Sequence, residues 1–345
     1  MAIKGSKLVT ISDVATTNRY GKGIGKMAEV LTKQNAMLQD CPYMEANMGT
    51  YHVEEIRTVL PKVYYVKANQ GTPASKSKSE ERTFTTAHFE SRSQIDYRVA
   101  ARGGVKNIAY NRWKQASGHV QAMALEHADL FLYGSPANDH RKVAGLADIY
   151  STRNTTTSET AKQVIHGGGS GSDNTSIWLI CWGEDGVFGI YPAGSKAGLE
   201  RIDRSPGGKT IQIQALDELG NASHFYGFEE DFSIDHGLVV KDYRQASRFC
   251  NIDISDLVTN AGAQANLIKG MIKQTYTIEN LEKGTPVFYC NRTIEGHLHL
   301  QALDAVGNGN QLSFETVAGK RILFLLDIPI RRMDSILNTE ATVPN

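Results

Sequence analysis

The chain has 345 residues, 37 of them basic and 37 acidic, so its formal net charge is zero, and 41% of its residues are hydrophobic. That composition can bury a core, and the length allows two domains or one large one. A neutral chain lacks the surplus of Lys and Arg that a dedicated nucleic-acid binder needs, and it suits a protein that packs against copies of itself without mutual repulsion.

Residues 1–20 are polar and Thr-rich and read as a loose arm, with no apolar stretch of signal-peptide length. From Gly23 to Gln39, the residues Ile24, Met27, Ala28, Leu31 and Leu38 fall at helical spacing and predict a short amphipathic helix. Residues 53–67 are rich in Val, Tyr and Ile and predict extended chain, Asn69 to Glu81 is polar and turn-rich, and 82–90 is strand-like again. Strand, polar tip and strand make a long hairpin, which is marginal alone and needs a surface to lie on. Beyond Gly103 and Gly104, residues from Val105 through Trp113 and Val120 to Leu130 repeat at three- and four-residue steps, stopping at Gly134-Ser135-Pro136. About 29 residues at ~1.5 Å rise predict a rod of roughly 44 Å, interrupted only by Gly118.

Residues 151–176 are rich in Ser, Thr and Gly and read as a loop. Ile177–Trp182 and Val187–Tyr191 are continuous apolar runs and predict central strands, while Ile211 to Ala215 alternates and predicts a strand with one wet face. Ser255 to Ile278 predicts a second helix, Pro286–Cys290 a buried strand, then a short helix and a final strand region over Arg321–Arg332. Helices and strands mix without regular βαβ alternation, so the fold class is α+β. The densest apolar run, Ile322 to Leu326, is far shorter than a bilayer requires.

Tests for chemistry come out weak or broken. Gly21-Lys22-Gly23-Ile24-Gly25-Lys26 puts Tyr20 where a phosphate loop needs its first glycine and Met27 where it needs Ser or Thr, so it reads as an arm entering a helix. His297 and His299 sit two apart in a segment with helical steps after an Asn291 cap, and so point away from each other. His127 falls on the apolar stripe of the long helix and reads as a core histidine. Cys41, Cys181, Cys250 and Cys290 lie far apart and read as reduced, buried thiols. Glu229, Glu230 and Asp231 read as a solvated acidic loop in preference to an acid/base site. Lys76 and Lys78 fit a solvated turn, or a tip that meets phosphate or a neighbour's acidic surface. No catalytic, cofactor-binding or metal-binding residue is assigned, and the chain is not expected to be an enzyme.

Longer strings carry a resemblance: MAEVLTKQNAMLQDCPYMEANMGTYH (27–52), VLPKVYYVKANQGTPASKS (59–77), GGSGSDNTSIWLICWGE (168–184), VFGIYPAGSKAGLERIDR (187–204), HGLVVKDYRQASRFCNIDISDL (236–257), PVFYCNRT (286–293) and DIPIRRMDSILNTEA (327–341). With them the chain resembles the HK97-like major capsid proteins of tailed bacteriophages, in the short-tailed epsilon-fifteen-type branch, over residues 8–341. It departs from the family pattern at VAARGGVKNIAYNRW (99–113). The resemblance implies an N-terminal arm (1–52), an extended loop (53–93), a peripheral domain with the spine helix (94–139), an axial domain (140–320) and a C-terminal strand region returning to the peripheral domain (321–345). It also implies self-assembly into hexameric and pentameric capsomers of an icosahedral virion capsid, built in the bacterial host cytoplasm. Implied partners are a separate scaffolding protein, a portal, a decoration protein and non-specific contact with packaged double-stranded DNA, with no membrane. A decoration or tail component is the alternative structural reading, and an enzyme of unknown class the remaining one.

Overall fold

A computed structural model describes residues 35–195, 197–216, 220–259, 261–304, 312–317 and 320–345. The sequence-read arm before residue 35, with its glycine run 21–26 and most of its helix, lies outside them. The first part of the chain forms α1 (Met37–Asp40), β1 (Tyr43–Glu45), β2 (Tyr51–Val59), β3 (Lys78–Thr85), β4 (Ala87–Asp96), α2 (Tyr97–Ala100), α3 (Ile108–Tyr133) and α4 (Leu146–Ile149). Six strands follow: β5 (Val164–His166), β6 (Asn174–Trp182), β7 (Val187–Tyr191), β8 (Leu199–Asp203), β9 (Ile211–Leu216) and β10 (Ala222–Val240). The rest comprises β11 (Ala246–Asp253), α5 (Ile254–Thr259), α6 (Ala261–Thr277), β12 (Thr285–Cys290), α7 (Arg292–Asp304), β13 (Leu312–Val317), β14 (Lys320–Leu325) and β15 (Ile328–Arg332).

Contacts group these elements into two units. The larger comprises Lys33–Ala87, Ala128–Ala197 and His236–Asn345; the smaller, in its described part, comprises His88–His127 and Gly198–Asp235.

In the larger unit, β6 is buried at all nine positions, flanked by β11 and β12 in antiparallel register. Because successive side chains leave a strand on opposite faces, Ile177 and Leu179 enter one core while Trp178, Ile180 and Trp182 enter the other. Helices α6 and α7 cover the first face through Leu267, Met271, Ile294 and Leu298. Ala128, Phe131 and Leu132 at the end of α3, with Met333, Ile336 and Val343 near the C-terminus, cover the second. The register of β11 against β6 shifts between Phe249 and Ile252, where Asn251 takes a positive φ of 55°. This bulge lets Phe249 and Ile252 share a face although they are three positions apart. Gly270 fits where any side chain would meet the Phe249 ring at 2.3 Å.

Two sequence expectations take a different form here. Arg321–Arg332 is two strands, β14 and β15, reversing at Leu326–Asp327, whose φ values of 48° and 65° allow the tightest hairpin turn. The Ser255–Ile278 helix is found over Ile254–Thr259 and Ala261–Thr277, the described residues of that stretch. The loop read over 151–176 contains β5, which pairs in parallel with β11. Helix α3 covers 26 residues, led in by a 3-10 turn at Val105–Asn107 and preceded by Gly103 and Gly104 at φ 89° and 106°.

In the smaller unit, β10 pairs with β4, β8 and β9. Its even-numbered residues Phe228, Phe232 and Ile234 pack with Ile108, Ala116, Val120 and Met123 of α3. From β4, the odd-numbered Phe89 and Ile95 join the same cores. At Gly227 a Cβ would lie 2.4 Å from the Ile95 carbonyl, so only glycine allows the two strands this approach.

Candidate functional site

Several sequence candidates sit in packed surroundings. His127 is buried with its ring against Phe89, and loss of solvation lowers its pKa to about 4. His299 lies on α7 against the Phe314 ring, and among the described residues no three His, Cys, Asp or Glu side chains gather as a metal set. All four cysteines are buried and unpaired with one another. Burial pushes the Cys41 thiol up to about 12 and that of Cys250 up to about 11, far from the thiolate that nucleophilic chemistry requires. Lys76 and Lys78 are exposed on the hairpin.

The acidic triplet overturns its sequence reading. Glu229, Glu230 and Asp231 are not a solvated loop but the middle of β10, and Glu230 and Asp231 are only 3% and 2% exposed. Strand alternation sends Glu230 toward α3, where Arg112 Nε donates to Oε1 at 2.9 Å and Arg201 Nε to Oε2 at 2.8 Å. Glu229 and Asp231 point the other way. There Arg92 Nε and Arg204 Nε each donate to Asp231 at 2.7 Å, and Gln94 Nε2 donates to Glu229 at 2.6 Å. Burial opposes the charge of Asp231, but the two guanidinium hydrogen bonds outweigh it and hold the carboxyl below its ordinary value. Each buried carboxylate thus has two arginines, supplied by β4, α3, β8 and the residue after β8. Such groups join strands and helix. The clue in the sequence was the alternation of Phe228, Phe232 and Ile234 around the triplet, which marks a strand.

A second feature is the hairpin of β2 and β3. These strands pair from Tyr51↔Thr85 to Val59↔Lys78 and form a sheet of their own. Its base is tied down: His52 is buried edge-on to the Phe188 ring, and Glu54 meets His52 at 3.0 Å and Lys241 at 3.6 Å. Beyond the paired region, Leu60, Val63 and Tyr65 are uncovered, Val63 to 93%. Apolar side chains held that far from any core mark a contact surface.

The third is a C-terminal latch. Arg248 of β11 and Glu340 are both buried and meet at 2.9 Å. Arg248 also donates to the Tyr150 carbonyl at 3.0 Å and lies over the Trp178 ring, while the Tyr133 hydroxyl donates to Glu340 at 2.6 Å and Ser176 also bonds it. Arg153 N donates to the Pro344 carbonyl and Val343 N to Asn251 Oδ1, so the last residues are threaded onto the sheet.

Residues 20–344 match the family described as major capsid protein GP7. The chain is similar to one from the cryo-EM structure of bacteriophage epsilon15, at 31% identity over 99% of both chains and a TM-score of 0.76. It also aligns at 9% identity with the capsid of bacteriophage JBD30 (93% of this chain, 98% of that one, TM-score 0.46) and with the capsid of an empty GTA particle (69% and 98%, TM-score 0.45). No curated protein sequence matches.

Proposed function

Because the chain belongs to the major capsid protein GP7 family, a structural component of the phage virion with the HK97-like fold, we propose that its copies close as hexamers and pentamers into an icosahedral head around double-stranded DNA. The observation that carries this to the present chain is the β2–β3 hairpin, a two-stranded sheet with apolar residues beyond it that its own subunit leaves uncovered. A surface of this kind is stable when it lies on another copy, and repeated heterologous contacts close rings. Contacts that are modest singly become strong when many engage at once at high effective concentration.

In this reading, residues 1–52 are the arm, 53–93 the extended loop, 94–139 the peripheral segment with α3, 140–320 the axial segment, and 321–345 the returning strand region. The shell acts without catalysis of its own: buried thiols pushed toward the neutral form and carboxylates held in arginine pairs support this. A separate scaffolding protein assists assembly, a portal and a decoration protein complete the particle, and a neutral subunit touches packaged DNA only non-specifically. Gly103 and Gly104, both in the left-handed region that glycine alone adopts readily, serve as a hinge when the shell expands.

The test is negative-stain microscopy of the chain co-expressed with its candidate scaffold. Polyhedral particles or capsomer rings are expected; tubes or dispersed molecules would overturn the reading. Replacing residues 61–75 by a short glycine linker, which keeps β2 paired with β3, is expected to leave a folded chain that forms no closed shells.

A further inference from the structure

Strand β8 is exposed at all five positions and, among the described residues, pairs with β10 alone. Its other edge is therefore open among the described residues. Its backbone direction follows from two facts. The β8–β10 register pairs Ile202 with Asp231 and Arg201 with Phe232, and Arg204 N donates to the Glu229 carbonyl at 3.0 Å. In an antiparallel ladder bonded and non-bonded residues alternate. Glu200, Ile202 and Arg204 thus bond β10, and Arg201 and Asp203 turn their N–H and C=O groups toward the open edge.

Exposed edges are ordinarily a liability that charges guard, and here the charges are ordered. Glu200-Arg201-Ile202-Asp203-Arg204 reads negative, positive, apolar, negative, positive, and its reversal has the opposite sign at each charged position. We infer that β8 is a homotypic interface, at which the strand pairs antiparallel with β8 of a second copy about a two-fold axis through Ile202. This register sets Arg201 opposite Asp203 of the second copy, where both can exchange backbone hydrogen bonds. It sets Glu200 opposite Arg204, and Ile202 opposite itself as a non-bonded pair. From Glu200 to Arg204 every opposed pair is attractive or apolar. Centring on Arg201 or on Asp203 would oppose like charges, and parallel in-register pairing would do so at every charged position. Arg201 and Arg204 keep half their side-chain surface exposed while bound to Glu230 and Asp231, so each can serve both partners.

The inference deepens the shell reading and depends on it for the meeting of copies. The two are tested separately. Whether the unaltered chain forms particles with its scaffold judges the shell, and chains that form neither particles nor dimers would remove both. Hydrogen exchange on those particles judges the pairing. The amides of Arg201 and Asp203 should gain protection of tenfold or more over the unassembled chain, with that of Ile202 little changed. Particles in which both exchange as before would overturn the pairing and leave the shell standing. In Ile202→Cys particles, Cα atoms about 4.5 Å apart suit a disulfide, so mild oxidation should give dimers on non-reducing gels. Glu200→Cys, whose two copies would lie roughly 13 Å apart, should not. The four native thiols are buried and give little background. Equal cross-linking at both positions, or none at Ile202→Cys, would also overturn the pairing. Adding Glu200→Lys to Ile202→Cys should cut the dimer yield several-fold.

Discussion

Strand β6 is buried along its whole length and carries apolar side chains into two cores, whereas β10 between Phe228 and Asp235 buries carboxylates on both faces. In β6 the cover is hydrocarbon, which needs no orientation. Around Glu230 and Asp231 of β10 it is arginine, whose guanidinium heads pair the carboxylates. Hydrocarbon cover tolerates small shifts, but a buried ion pair fails if one partner leaves. The larger unit also contains one such pair, Arg248–Glu340, set into its apolar face, and there the failure should be greatest.

The comparison can be broken first at that pair. Arg248→Met leaves Glu340 charged and buried, and should lower stability by about 3–5 kcal/mol in urea unfolding of the unassembled chain; an unchanged midpoint would mean that water reaches Glu340. A smaller effect comes with acid. His127 is held neutral, with a folded pKa of about 4 against ~6.5 in the unfolded chain. Its stabilising contribution is therefore complete above about pH 6.5 and lost as pH falls toward 4, to a total of about 3 kcal/mol. His127→Gln should flatten that stretch of the pH–stability curve. Asp231→Asn should cost only about 1–2 kcal/mol, because its arginines remain half in water. The difference from the unaltered chain should shrink in 1 M salt. It should also shrink below about pH 4, since a lowered carboxyl pKa stabilises above the unfolded value and ceases to as pH falls through the folded one. The smallest change has the opposite sign. A methyl group at Gly118 would meet nothing within 4 Å, so Gly118→Ala should stabilise α3 by about 0.5–1 kcal/mol, read as a raised thermal midpoint.

The acidic triplet shows where local reading fails. Three carboxylates in a row look solvated until the strand's alternation sends Glu230 one way and Glu229 and Asp231 the other. The arginines that receive them lie more than 25 residues away in sequence for Arg201 and Arg204 and more than 100 for Arg92 and Arg112. Likewise, only Asp327, a residue that tolerates a positive φ, hints at the reversal at Leu326–Asp327; the pairing of β14 with β13 and β15 imposes it.

By itself the sequence determined what depends on neighbours a few residues away: the spine helix from its three- and four-residue steps, β6 and β7 from continuous apolar runs, the existence of the extended hairpin but not its strand ends (β2 stops at Val59, short of the expected 67, and β3 starts at Lys78, inside the expected tip), and the Asn291 cap, whose Oδ1 accepts from Ile294 N at 3.0 Å. Periodicity and capping are written in adjacent residues. Only the tertiary structure decided which arginine meets which carboxylate, that the C-terminal residues thread onto β6 and β11, and that Gly198–Asp235 clusters with His88–His127. Those choices pair groups far apart along the chain, and such pairing is fixed by the packing of whole elements, which no local pattern encodes.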